Sequence, residues 1–128
     1  MDNIQTIQFL IEKYRPEEDI LSSINSILTT PVTSTNFDVP DSVGFMQLNE
    51  YSEGFSQSAL LSFPVSVLVK IDEEDLVKKL ANSLNARVLL QPDGDDEENP
   101  WALASPNSPV LEKVYVDFLD GGVDIRKD

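Results

Sequence analysis

The chain contains no cysteine and no histidine, and only one tryptophan, Trp101. Without Cys there is no disulfide framework, no thiolate zinc site and no thiol nucleophile. Without His there is no imidazole base and no Ser-His-Asp triad. Zero Cys is also what a cytosolic protein is expected to show. Positive charge is scarce: 9 Lys and Arg face 23 Asp and Glu, net −14 over 128 residues. Such a surplus repels phosphate backbones and anionic lipid, so neither nucleic acid nor membrane is expected as a partner. Long apolar runs are missing too. Residues 60–71 form the longest, broken by Ser62, Pro64, Ser66 and Lys70, against the ~20 residues a bilayer span needs. Met1-Asp2-Asn3-Ile4 shows neither the basic nor the apolar region of a secretory signal, so a cytoplasmic location is expected.

What remains is a chain of single-domain size with periodic apolar residues. Ile4, Ile7, Leu10, Ile11 and Tyr14 stand at helical spacing and predict a helix over 3–14. Pro16 opens a second helix, with Glu17, Glu18 and Asp19 in its first turn and Ile20, Leu21, Ile24, Ile27 and Leu28 as its apolar stripe. Together these predict an N-terminal helical part, residues 1–30, shaped as a helical hairpin or a bent pair. Residues 31–43 read as a loop rich in Pro, Thr, Ser, Asn and Asp. Residues 44–128 would hold a sheet. A short strand is expected near 45–51, a turn at Ser52-Glu53-Gly54, and an alternating strand from about Leu61 to Ile71, with Pro64 at an edge or a bulge. Asp72 caps a helix whose buried face is Leu76, Val77, Leu80, Ala81 and Leu84, and Asn85 suits a left-handed C-terminal cap. Strands follow at 87–91, from Trp101, over 112–119 and around Val123 to Ile125. The natural packing is a single α+β domain: an antiparallel or mixed sheet of about four to five strands, helices on one face, and two N-terminal helices.

The excess charge is concentrated late in the chain. Residues 93–128 carry 10 acids and 3 bases. Asp93, Asp95, Asp96, Glu97 and Glu98 crowd one turn-forming loop, and Asp117, Asp120 and Asp124 follow. Two readings of the loop compete. It is a cluster for the Lys and Arg side chains of a basic protein, with Trp101 as anchor, or it is a solvated hairpin tip with Trp101 filling the core below. Oxygen ligands of this kind also suit Ca²⁺, but the spacing breaks the EF-hand pattern early, and no metal or cofactor is expected. Asp72-Glu73-Glu74-Asp75 is explained by stabilisation of a helix N-terminus. No phosphate-binding glycine motif occurs, and no carboxylate pair stands out for acid–base chemistry, so no enzymatic activity is expected.

The succession Leu61–Ile71, Asp72–Asn85, Ala86–Gln91, the acidic loop with Asn99-Pro100-Trp101, and Val114-Tyr115-Val116-Asp117-Phe118 leading into Asp120-Gly121-Gly122-Val123-Asp124-Ile125 resembles small acidic bacterial immunity proteins of toxin systems. The resemblance covers residues 60–128 and rests on element order and acidity. It implies a cytoplasmic protein that neutralises a basic partner, a toxin such as a nuclease, by stoichiometric binding. The partner-binding residues would be Asp93, Asp95, Asp96, Glu97, Glu98, Trp101, Asp117, Asp120 and Asp124. The competing expectation is a non-enzymatic adaptor whose contacts come from the amphipathic N-terminal helices.

Overall fold

The computed structural model describes residues 4–28, 32–34, 44–64, 72–92 and 100–126. In chain order the elements are β1 (Ile4–Ile11), α1 (Glu17–Leu28), β2 (Val32–Ser34), β3 (Gly44–Glu50), β4 (Glu53–Gly54), β5 (Gln57–Pro64), α2 (Glu73–Leu84), β6 (Val88–Leu90), β7 (Trp101–Ala104), β8 (Glu112–Val114), β9 (Val116–Leu119) and β10 (Gly122–Ile125). The fold is α+β. A seven-stranded, mostly antiparallel sheet runs β2-β3-β5-β1-β6-β7-β8, and a small sheet runs β4-β10-β9. Among the described residues no helix is long and apolar enough to cross a membrane.

The helix expected over 3–14 is instead β1, a central strand. It pairs along its whole length with β5 and, through Phe9 to Ile11, with β6. The spacing misled because the strand is buried on both faces only at its C-terminal end. Ile7, Phe9 and Ile11 point to one side and Leu10 to the other, all at most 2% exposed. Exposed Thr6 and half-buried Gln8 alternate with buried Ile7 and Phe9, but Leu10, buried on the other face, breaks the alternation and puts Ile4, Ile7, Leu10 and Ile11 at helical spacing. Stiff, β-branched Ile favours the extended form. So there is one N-terminal helix, α1, and not two.

The expected strand count also rises. The strand expected from Leu61 begins earlier, at Gln57, and Pro64 is its last residue, where a missing N–H costs the ladder least. Residues 65–71 of that expectation lie outside the described residues. Within the expected loop 31–43, β2 pairs parallel to β3; 35–43 lie outside the described residues. The single strand expected over 112–119 breaks at Tyr115. Its first half pairs with β7 and its second with β10, so the chain crosses here from one sheet to the other, a corner of the kind that joins packed sheets.

β5 and β6 both run antiparallel to β1, hence parallel to each other with β1 between them. The crossover through α2 is therefore a split β-α-β unit. α2 matches its sequence closely. The Asp72 carboxylate accepts from the Asp75 N–H at 3.1 Å, Asn85 takes a left-handed conformation as C-cap, and Asp75 pairs with Lys79 at 2.9 Å. Both helices lie on one face of the large sheet. There Ile20, Ile24, Leu76, Val77 and Leu80 close a core with Ile7, Phe9, Ile11, Met46 and Leu61. A second, smaller core lies on the opposite face, where Leu10, Leu89, Trp101 and Leu103 meet Phe55, Val116 and Val123.

Candidate functional site

The small sheet covers only part of the face it packs on, and this incomplete cover creates the site. Beside the second core lies a cleft of about 670 Å³. The large sheet supplies Leu10 and Trp101, flanked by Gln8 and Gln91. The end of β9 and its turn supply Phe118, Leu119, Asp120 and Gly121, and the end of β3 with the link after it supplies Glu50, Tyr51 and Ser52. The alternation of β1 decides the lining. Gln8 and Leu10 share the face opposite Phe9, and Gln8 donates from Nε2 to the Ser58 hydroxyl at 3.4 Å. No Lys or Arg lines the cleft among the described residues.

The turn that forms one wall is tied down by backbone. Ser52 N–H donates to the Gly121 carbonyl at 3.0 Å and Phe55 N–H to the Val123 carbonyl at 2.9 Å. The Glu53 carboxylate accepts from the Gly121 N–H at 3.0 Å. Gly54 sits at φ +70°, and a Cβ there would come within 2.1 Å of the Val123 carbonyl oxygen. Only glycine combines that backbone conformation with so close an approach. The wall is thus a built feature, not a loose tip.

The expected binding residues fall into three groups. Asp93, Asp95, Asp96, Glu97 and Glu98, with the Ca²⁺ alternative that rested on them, lie outside the described residues. Trp101 is only 4% exposed. In the free chain it belongs to the second core rather than standing out as an anchor, because its strand alternation turns it under the small sheet. Its ring meets Phe118 edge-on, with centroids 6.3 Å apart and planes at 66°. Of the three later acids, Asp117 is ion-paired with Arg126 Nε at 2.9 Å, and Asp124 accepts from the Ile125 N–H at 2.9 Å. Asp120 is exposed at the rim of the cleft. The structure therefore brings Trp101 and Asp120 to one site, while Asp117 and Asp124 lie on the strands behind it.

Sequence reading missed Gln8, Leu10, Glu50, Gln91, Phe118 and Leu119 as cleft residues. Gln8 and Leu10 were hidden by the helical reading of 3–14. Phe118 carried a signal, an aromatic in the most acidic part of the chain, and it is 51% exposed.

Away from the cleft, at the ends of β1 and β6, Arg87 Nε donates to Glu12 Oε2 at 2.6 Å. Its guanidinium lies 5.9 Å from the Phe55 ring centroid. The hydrogen bond and the nearby positive charge hold the Glu12 carboxyl below its ordinary range, against a desolvation that pushes the other way. Gln57, fully buried, accepts from the Arg15 N–H and donates to the Arg15 carbonyl, both at 2.8 Å. These pairs brace the scaffold. Among the described residues no group of acids is placed to hold a metal ion. No family model matches the chain, and neither a curated protein nor a solved structure matches it.

Proposed function

We propose that this chain is an acidic, immunity-like protein that binds and inhibits a basic partner protein, a toxin such as a nuclease, in the cytoplasm and without chemistry of its own. The observation that carries the reading is the cleft: an aromatic and amide floor, acids at its rim in Glu50 and Asp120, and no lining Lys or Arg among the described residues. The net charge of −14 adds long-range attraction for a cationic surface. Like-charge repulsion works against nucleic acid as the direct target. Inhibition then needs only occlusion of the partner's own anion-binding groove.

The adaptor alternative drew on a pair of amphipathic N-terminal helices. Residues 4–11 are a central strand, and Ile20 and Ile24 of the remaining helix are buried against the sheet, so that alternative has no helical pair to act through.

The test is co-expression with the product of the adjacent reading frame in the native host. The expected result is restored growth and a one-to-one complex whose affinity falls as salt rises. A chain that holds no basic protein at low salt, and relieves no toxicity, overturns the reading.

A further inference from the structure

The small sheet ends on β9. This strand pairs with β10 on one side, and among the described residues no strand pairs with its other side. A single bond sets the phase of the ladder. Arg126 donates its N–H to the Tyr115 carbonyl at 2.7 Å. In this antiparallel register Asp117 and Leu119, opposite Asp124 and Gly122, are then the residues bonded to β10. Val116 and Phe118 alternate with them, so their backbone N–H and C=O groups point to the outer edge. At Val116 the edge is guarded: Arg126 Nη2 donates to its carbonyl at 3.4 Å while Nε holds Asp117. The Phe118 rung has no such guard among the described residues.

The side chains around that rung are apolar and exposed. Tyr115 is 47% exposed, Phe118 51% and Leu119 39%. Proteins commonly blunt an open edge with charge, proline or a cover, and an apolar patch beside unpaired backbone marks a docking strand. Charge selects the occupant. Lys113 and Arg126 lie beside Tyr115, with Arg126 committed to Asp117, whereas Asp120 at the other end of the rung carries negative charge that is free among the described residues, and Asp124 lies on β10, the paired side. A second copy of the chain would bring −14 against −14, which self-repulsion disfavours.

We propose that β9 takes up an extended, basic segment of a partner protein as an added strand. The segment pairs through its main chain with Phe118, covers Tyr115 and Leu119, and directs a Lys or Arg toward Asp120 at the mouth of the cleft. This rests on the reading of the chain as a binder of a basic partner and names the surface used.

The experiment is a titration of the isotope-labelled chain with an alternating Lys-Val octapeptide, followed by amide shifts and amide exchange. Two control peptides are used: one with a central Val replaced by Pro, and an alternating Glu-Val peptide. The expected result is a response confined to Tyr115–Asp120, slower exchange of the Phe118 N–H, and at least about tenfold weaker binding of both controls. Phe118→Pro removes the outward N–H while sparing the bonds to β10, and should abolish the response while the Asp117 and Asp124 amides, which bond across to each other, keep their slow exchange. Shifts spread over acids throughout the molecule, or equal binding of the proline-interrupted peptide, overturn the proposal even where Phe118→Pro does not fold. A toxin-like partner retained at full affinity by a folded Phe118→Pro protein overturns this surface and leaves the functional reading standing. Failure to hold any basic protein overturns the functional reading instead.

Discussion

The two faces of the large sheet are built from the same strands and finished in different ways. On one face α1 and α2 cover the sheet, and Ile7, Phe9, Ile20, Ile24, Met46, Leu61, Val77 and Leu80 are at most 2% exposed. On the other face a three-stranded sheet covers the second core and leaves a cleft, an open edge and three exposed apolar side chains beside it. The contrast separates two tasks. The closed face removes apolar area from water and supplies stability. The half-covered face keeps apolar and acidic groups available, at a cost in burial that the closed face offsets.

The sharpest way to break this contrast is to truncate one phenylalanine on each face. Phe9→Ala empties a fully buried site and should cost about 3–5 kcal/mol, read as a drop in denaturant midpoint at unchanged m-value. Phe118→Ala loses the half-exposed edge-on contact with Trp101 and should cost only about 1 kcal/mol while weakening partner binding. Equal losses of stability from the two variants would mean that the faces do not divide the work.

Next in size is the anchoring of the small sheet. Gly54→Ala forces a side chain into a left-handed conformation and against the Val123 carbonyl. A loss of about 1–3 kcal/mol is expected from backbone strain. Amide exchange should quicken at Phe55 and Val123 and hold steady at Leu80 and Val88. Faster exchange at all four would show one cooperative unit rather than two separable faces.

The smallest effect concerns Glu12 and Arg87. The Glu12 carboxyl is depressed in the folded state. Its stabilisation is therefore present above the unfolded carboxylate pKa and is lost as pH falls through the lower folded value. Glu12→Gln should flatten that part of the stability–pH curve by lowering neutral stability slightly and acid stability not at all, the effect staying small because the pair is partly exposed. An unaltered acid limb in the variant would remove Glu12 from the account.

How much of this could be read in advance differs from element to element. α2 was legible down to its caps, because the Asp72 carboxylate and the Asn85 backbone act on groups within a turn of themselves. α1 was legible from Pro16 and its acidic first turn. The strands β6, β7 and β10 were legible as apolar segments bounded by turns. β1 was not, since Leu10, buried on the opposite face, breaks its alternation and puts Ile4, Ile7, Leu10 and Ile11 at helical spacing. β8 and β9 merged into one expected strand, because alternation continues through Tyr115 and nothing local marks the change of sheet. Of the candidate site, Trp101 and Asp120 were named from sequence and do line one cleft. Their neighbours Gln8, on the central strand, and Gln91, just after β6, meet them only across the sheet.

By itself the amino-acid order determined the charge, the absence of thiol and imidazole chemistry, the α+β class and the bounds of α1 and α2. Each of these is a count or an interaction reaching no further than a few residues. Only tertiary structure decided that residues 4–11 run as a central strand, that Trp101 turns inward while Phe118 remains half outside, and that an acidic cleft opens beside them. Those outcomes depend on which face of each strand finds a cover, and a cover is supplied by segments that meet only once the chain has folded.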